Sequence, residues 1–119
     1  MPLSGKDIIV RYFCCIDGKD IDGALELFDN DAVVYEPFSN VGEGLKGKSA
    51  IEPFLKVAMM ANSNLKRSIE IQKPWDNDRI TALVTFEKGD RMKGRFTFEF
   101  SSGNDQLGEK KIKSLHIKF

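Results

Sequence analysis

The chain has 119 residues, and its 18 Lys and Arg side chains are balanced by 18 Asp and Glu. This length suits one domain, so residues 1–119 are expected to fold as a single unit that needs no disulfide or metal for stability. The formal net charge of zero provides no broad positive field. It therefore argues against nucleic acid and against an anionic membrane surface as partners. No segment approaches the ~20 apolar residues of a membrane span.

The cysteines and the single histidine bear on metals and on location. Cys14 and Cys15 are adjacent and are the only cysteines, and a vicinal pair rarely forms a stable structural disulfide. With His116 as the only histidine, no cluster has zinc-ligand spacing, so we expect neither a metal nor a cofactor. Charged residues precede any apolar run at the start, which is unlike a signal peptide. A cytoplasmic protein is expected.

The first quarter of the chain has helical periodicity. One buried helical face is predicted from the i, i+4, i+7, i+8 spacing of Ile8, Tyr12, Cys15 and Ile16. Asp20 can cap a second, short helix that follows. Asn30–Asp31 is predicted to end that helix as a turn.

A strand and a third helix are predicted next. Residues 32–38 are rich in β-formers, and residues 39–47 contain three glycines, which indicates a long loop. Ser49 and Glu52 have the spacing of a capping box, and an apolar helical face follows. That face consists of Ile51, Phe54, Leu55, Ala58 and Met59.

The second half of the chain alternates with period two, as β-strands do. Apolar residues recur at every second position in the segments 80–86, 95–100 and 114–119. In the segment 67–73, Ile69 and Ile71 share one phase with Arg67 and Lys73, and turn-rich stretches separate the segments. This predicts an antiparallel meander with one face on a core. Helices followed by strands indicate an α+β fold in which three helices pack on one face of the sheet.

Two residues of this pattern can carry chemistry. Glu36 shares a strand phase with Val34 and Phe38, so it places a carboxylate on an apolar face. Such a residue is either a strand-end carboxylate that reaches water or a general base at the wall of an apolar cavity. Tyr12 lies on the apolar face of the first helix, either as a core tyrosine or as a hydrogen-bond donor to a ligand.

At these residues the chain resembles the ketosteroid isomerase branch of the nuclear transport factor 2-like superfamily, which includes the SnoaL-like proteins. The resemblance rests on the order and spacing of several short motifs: Arg11-Tyr12, Ile16-Asp17, Asp20-Ile21, Asp31 through Phe38, and Gly47-Lys48-Ser49-Ala50-Ile51. It implies a cone-shaped α+β barrel: a strongly curved antiparallel sheet around a cavity that is open at one end. It also implies a homodimer formed through the outer sheet face.

The resemblance further implies roles for individual residues. Glu36 would remove a proton from the α carbon of a ketone and return it to the γ carbon. Tyr12 would donate a hydrogen bond to the enolate oxygen. The ligand would be a small apolar or aromatic molecule. The expected pocket lining is Val34, Phe38, Phe54, Met59, Phe86, Phe96, Phe98 and Leu115.

The sequence departs from the family pattern at two positions. The base of the family isomerases is Asp, and here it is Glu, one methylene longer. The position that corresponds to their second, protonated acid falls at Phe98, while Glu99 is in the opposite strand phase. Two classes of function therefore stand beside each other. One is an isomerase-, cyclase- or dehydratase-type enzyme, and the other is a non-catalytic module that binds a ligand, dimerises or binds another protein.

Overall fold

The computed structural model describes residues 5–36, 44–61, 66–72, 79–88, 90–101 and 111–118. It contains three helices, α1 (Gly5–Gly18), α2 (Ile21–Glu26) and α3 (Lys48–Ala61). Six strands form one sheet: β1 (Phe28–Tyr35), β2 (Leu45–Lys46), β3 (Lys66–Ile71), β4 (Arg79–Lys88), β5 (Asp90–Phe100) and β6 (Ile112–Lys118). None of the helices in these ranges is both long and apolar enough to cross a membrane.

Helix α1 buries the face that the sequence predicts. Its buried side chains include Ile8, Tyr12, Phe13 and Ile16, spaced as one helical stripe. The helix ends at Gly18, and the next residue, Lys19, has a positive φ of 56°. The amide of Asp20 then donates to the carbonyl oxygen of Cys15 at 2.9 Å, a C-terminal arrangement that satisfies an otherwise orphaned carbonyl.

Helix α2 begins as predicted but ends earlier than the proposed turn. The Asp20 carboxylate accepts a hydrogen bond from the amide of Gly23 at 3.0 Å and caps the helix. The prediction of a turn at Asn30–Asp31 is wrong, because both residues lie within β1. The carbonyl oxygen of Leu27 accepts from the amide of Ile112 at 2.7 Å, so pairing with a strand from the other end of the chain begins there.

Helix α3 starts one residue before the predicted capping box. Amides of Ala50 and Ile51 donate to the carbonyl oxygen of Gly47 at 3.1 and 3.0 Å. Ser49 therefore lies inside the helix. Glu52 pairs instead with Lys56, one turn further on, at 3.8 Å.

The sheet has the strand order β2-β1-β6-β5-β4-β3. Strands β3 to β6 form the predicted antiparallel meander. The prediction of a wholly antiparallel sheet needs a correction, since β1 pairs in parallel with β6. The sheet is also open, with β2 and β3 at its edges, so the strands do not close into a barrel. The predicted α+β class with three helices is confirmed.

The helices cover one face of the sheet, which we call the inner face. It carries the alternate residues of the central strands that are buried against the helices, among them Val34, Ile80, Val84, Phe96, Phe98 and Leu115. At the start of α1 the approach is so close that a Cβ on Gly5 would lie 2.8 Å from Ile80 Cδ1. The intervening residues of the strands form the outer face.

Candidate functional site

Tyr12 lies where α1 crosses the inner face. Its side chain is only 2% exposed. Three phenylalanine rings pack edge-on against the phenol ring: Phe13 at 5.0 Å, Phe98 at 5.6 Å and Phe28 at 6.1 Å between centroids. The hydroxyl group is thereby brought into an aromatic interior.

The surroundings of Tyr12 keep its hydroxyl protonated. Burial raises the pKa of the Tyr12 phenol well above its ordinary value, and the positive charge of Arg67 lowers it by a smaller amount. A phenol in these surroundings stays neutral at physiological pH and can act as a hydrogen-bond donor, but it does not serve as a base.

Glu36 directly follows the last residue of β1. Tyr35 is opposite His116, the last pair in the parallel register of β1 with β6. If the register is extended by one residue, Glu36 is level with Ile117. Ile117 is in turn opposite Phe96, whose side chain is buried on the inner face. Continued alternation from Val34 predicts the inner-face phase for Glu36, and its orientation stays a prediction. The side chain itself is half-buried.

Phe98 occupies the inner-face position at which the resemblance leads one to expect a second acid. Its side chain is 0% exposed and packs against the ring of Tyr12. It is also opposite Leu115 in the pairing of β5 with β6. The strand phase inferred from the sequence is therefore confirmed, and the side chain beside Tyr12 is an aromatic ring instead of a carboxyl group.

The other residues expected to line a pocket are found in or next to the core. Five of them are buried in it: Val34, Met59, Phe96, Phe98 and Leu115. Phe54 and Phe86 are partly buried and pack against this core. Phe38 lies outside the described residues. Their role as pocket lining stays a prediction.

Glu99 on the Phe-rich strand and His116 on the neighbouring strand β6 lie on the outer face. Glu99 accepts a hydrogen bond from Ser114 Oγ at 2.7 Å, which lowers the pKa of its carboxyl group. His116 Nε2 is 3.3 Å from Glu99 Oε1, and its ring stacks on Tyr35 with centroids 4.4 Å apart. Because the sheet lies between the Glu99 carboxylate and Tyr12, Glu99 does not replace the missing second acid.

Arg67 is the residue that the sequence reading missed. It lies on β3 opposite Phe86, in the inner-face phase with Ile69 and Ile71. Its side chain is only 6% exposed, and its guanidinium lies 4.9 Å above the centre of the Phe13 ring. The sequence contained one indication of this position, because Arg67 has the same strand phase as Ile69 and Ile71. Alternation alone does not explain why a charged side chain is in that phase.

Comparison with known proteins rests on structure. No protein-family model and no curated protein sequence matches this chain. Among solved structures, Rv0760c from Mycobacterium tuberculosis in complex with estradiol-17beta-hemisuccinate superposes with a TM-score of 0.74 at 22% identity. That match covers 98% of this chain and 95% of the other.

Two further structures extend the comparison. The Delta 5-3-ketosteroid isomerase from Mycobacterium sp. has a TM-score of 0.69 at 20% identity, with 98% of this chain and 94% of that chain covered. An NTF2-like protein of unknown function from Pseudomonas putida KT2440 has a TM-score of 0.70 at 19% identity, with 95% and 82% covered. At these identities the likeness concerns the fold. The chain therefore has the nuclear transport factor 2-like fold that its sequence resemblance implies.

Proposed function

We propose that this protein binds a small apolar ketone against its inner sheet face and transfers a proton within it. Tyr12 is the hydrogen-bond donor to the ketone oxygen, and Glu36 is the base. The observation that carries this proposal is the buried phenol of Tyr12, which is held neutral among the rings of Phe13, Phe28 and Phe98.

An apolar ligand suits this interior. Burial of apolar ligand surface against the aromatic and aliphatic side chains of the inner face contributes a favourable free energy of roughly 25 cal/mol per Å². A single polar donor such as the Tyr12 hydroxyl then orients the ligand, because ligand pockets combine apolar walls with few polar groups. The matched structure with a bound steroid ester and the matched ketosteroid isomerase support a ligand of this class.

The proton transfer proceeds in two steps. In a β,γ-unsaturated ketone, Glu36 removes a proton from the α carbon and becomes a neutral carboxylic acid. The C–H electron pair forms a double bond to the carbonyl carbon, and the carbonyl π pair moves to the oxygen, which gives a dienolate. Tyr12 donates a hydrogen bond to that negative oxygen. Glu36 then returns the same proton to the γ carbon, and the product is the conjugated ketone. No oxidant or co-reactant is consumed.

Phe98 limits the expected rate. In the isomerases that the chain resembles, a second, protonated acid and the tyrosine both donate hydrogen bonds to the oxyanion. Here the fully buried phenyl ring of Phe98 occupies that position. Removal of one oxyanion donor typically lowers kcat by about 10²–10³-fold. We expect slow turnover compared with an isomerase that has both donors.

A non-catalytic binding function is the second candidate. The same Phe98 ring favours it, since an aromatic side chain beside Tyr12 adds apolar contact area without chemistry. In this alternative, Tyr12 orients the ligand and Glu36 has no role in turnover. Homodimerisation through the outer face is compatible with either function.

The proposal is tested with a Δ5-3-ketosteroid as the probe. Isomerisation is followed by the ultraviolet absorbance of the conjugated ketone, and binding is followed by ligand-observed NMR. Glu36→Gln is expected to lower the isomerisation rate by at least ~10²-fold with binding retained, because general bases contribute about 10²–10⁴-fold.

Glu70→Gln is the matched control. Glu70 is exposed on β3, opposite the outer-face residue Leu83, so its substitution should leave the rate unchanged. If the steroid binds and Glu36→Gln turns it over at the wild-type rate, Glu36 is not the base. If the wild-type protein binds without turnover, the binding function replaces the enzymatic one.

A further inference from the structure

Arg67 brings a charged group into the aromatic interior beside Tyr12. Its Nη2 donates to Asp17 Oδ1 at 2.6 Å and to the carbonyl oxygen of Phe13 at 3.4 Å. Its guanidinium also lies over the Phe13 ring. These contacts fix the planar group against α1, 50 to 54 positions away in the sequence.

Strand β3 offers solvated positions for an arginine, but this one faces inward. Its neighbours Lys66 and Ser68 are exposed, whereas the side chain of Arg67 is 6% exposed. Burial of a charge is costly unless hydrogen bonds and an opposite charge compensate it. A guanidinium meets that cost better than an ammonium here, because it is more weakly hydrated and stacks on aromatic rings.

Arg67 and Tyr12 both contact the ring of Phe13. The Phe13 ring is 4.9 Å from the Arg67 Cζ atom and 5.0 Å from the Tyr12 ring. The charge of Arg67 acts on the Tyr12 oxygen in the direction that favours a negative oxygen. Its counter-ion Asp17 is 63% exposed, so water screens the carboxylate more than it screens the buried guanidinium.

We propose that Arg67 is an electrostatic specificity residue of the Tyr12 site, which favours ligands whose oxygen carries or develops a negative charge beside the Tyr12 hydroxyl. This inference rests on the proposed function and narrows its ligands to enolisable ketones and acidic phenols. It also assigns a second source of oxyanion stabilisation in a site where Phe98 provides none.

The probe for this proposal is 2-naphthol, whose neutral and ionised forms differ in absorbance and fluorescence. The measured quantity is the ratio of ionised to neutral naphthol in the bound state at fixed pH. Arg67→Met is expected to lower this ratio roughly tenfold, which corresponds to one pKa unit of the bound naphthol. A merely structural role of Arg67 would weaken the binding of both forms equally and leave the ratio unchanged.

Three further variants make the result interpretable. Arg67→Gln is a second neutral variant, with a polar side chain, in case Arg67→Met does not fold. Arg67→Lys keeps the charge and should retain most of the ratio. Arg95→Met, at an exposed outer-face position of β5, is the matched control and should behave as wild type.

The outcomes separate this inference from the proposed function. If both neutral Arg67 variants keep the wild-type ratio while Tyr12→Phe lowers it, Arg67 has no electrostatic role and the proposed function stands. If Tyr12→Phe also keeps the ratio, or wild type does not bind 2-naphthol, the Arg67 inference fails, and the ketosteroid assay still decides the proposed function by itself.

Discussion

The phenol of Tyr12 is buried among aromatic rings when the chain folds. Because burial favours the neutral form, the protonation of this phenol is linked to folding. Because burial raises the pKa of its phenol, the folded protein holds this proton at a pH where the unfolded chain has lost it. The stability contributed by Tyr12 is therefore fully present below its unfolded pKa of about 10 and is lost as the pH rises above that value.

This predicts a measurable alkaline sensitivity. Between about pH 10 and pH 11.5 the free energy of unfolding should fall by up to ~1.4 kcal/mol per pH unit through Tyr12 alone. Tyr12→Phe should remove this part of the pH dependence, measured by urea unfolding across that range. Tyr35→Phe is the control, since Tyr35 lies on the outer face against His116. Equal slopes for Tyr12→Phe and wild type would contradict the prediction.

At the scale of elements, the position of α1 over the sheet determines where Tyr12 and Phe13 lie. The helix starts at Gly5, where the backbone approaches Ile80 of β4 and Phe100 of β5. A side chain at this position would meet the stiff ring of Phe100 as well as the flexible end of Ile80. The absence of a side chain at Gly5 thus allows the close packing of helix on sheet.

Gly5→Ala tests this contact. The added Cβ would lie 2.8 Å from Ile80 Cδ1 and 2.9 Å from Phe100 Cε2, both shorter than ordinary contacts. We expect a loss of roughly 1–3 kcal/mol in the free energy of unfolding, the usual cost of overpacking. Gly18→Ala, at the other end of α1, meets no atom within 4 Å and should be neutral or slightly stabilising. Gly5→Ala unfolding like wild type would show that the helix can shift freely.

The whole molecule has two chemically different sheet faces. The inner face is apolar and packs against the helices, and the outer face carries polar pairs on its central strands. Thr81 and Thr97 hydroxyls lie 3.3 Å apart, and Glu99 pairs with His116. Several of these residues are half-buried at the centre of the sheet. The resemblance implies that a second copy of the chain covers this surface.

We therefore expect a homodimer in solution through the outer face. Thr97→Arg, at the centre of that face, should dissociate the dimer by placing like charges against each other, measured by analytical ultracentrifugation. Val57→Arg on the exposed side of α3 is the control and should leave the dimer intact. A monomeric wild type would contradict the prediction. So would a dimer that is dissociated by Val57→Arg but not by Thr97→Arg.

Local patterns in the sequence were sufficient for much of the fold. The Asp20 cap depends on contacts three residues away, and the buried stripe of α1 depends on helical spacing, so both could be predicted. The turn predicted at Asn30–Asp31 failed for a non-local reason. These residues have turn propensity, but they lie in a strand that pairs with β6, more than 80 positions later.

The sequence by itself determined the α+β class, the strand phases that put Phe98 inward and Glu99 outward, and the interior position of Tyr12. Period-two and helical spacing encode which side of an element faces the core, and burial of apolar surface enforces that choice. Tertiary structure alone decided the parallel pairing of β1 with β6 and the contact of Arg67 with Phe13 and Asp17. Alternation does not encode strand direction or the partner of a side chain, because both depend on segments brought together only by folding. The neutral overall charge of the chain thus concealed a buried guanidinium beside the phenol on which the proposed function rests.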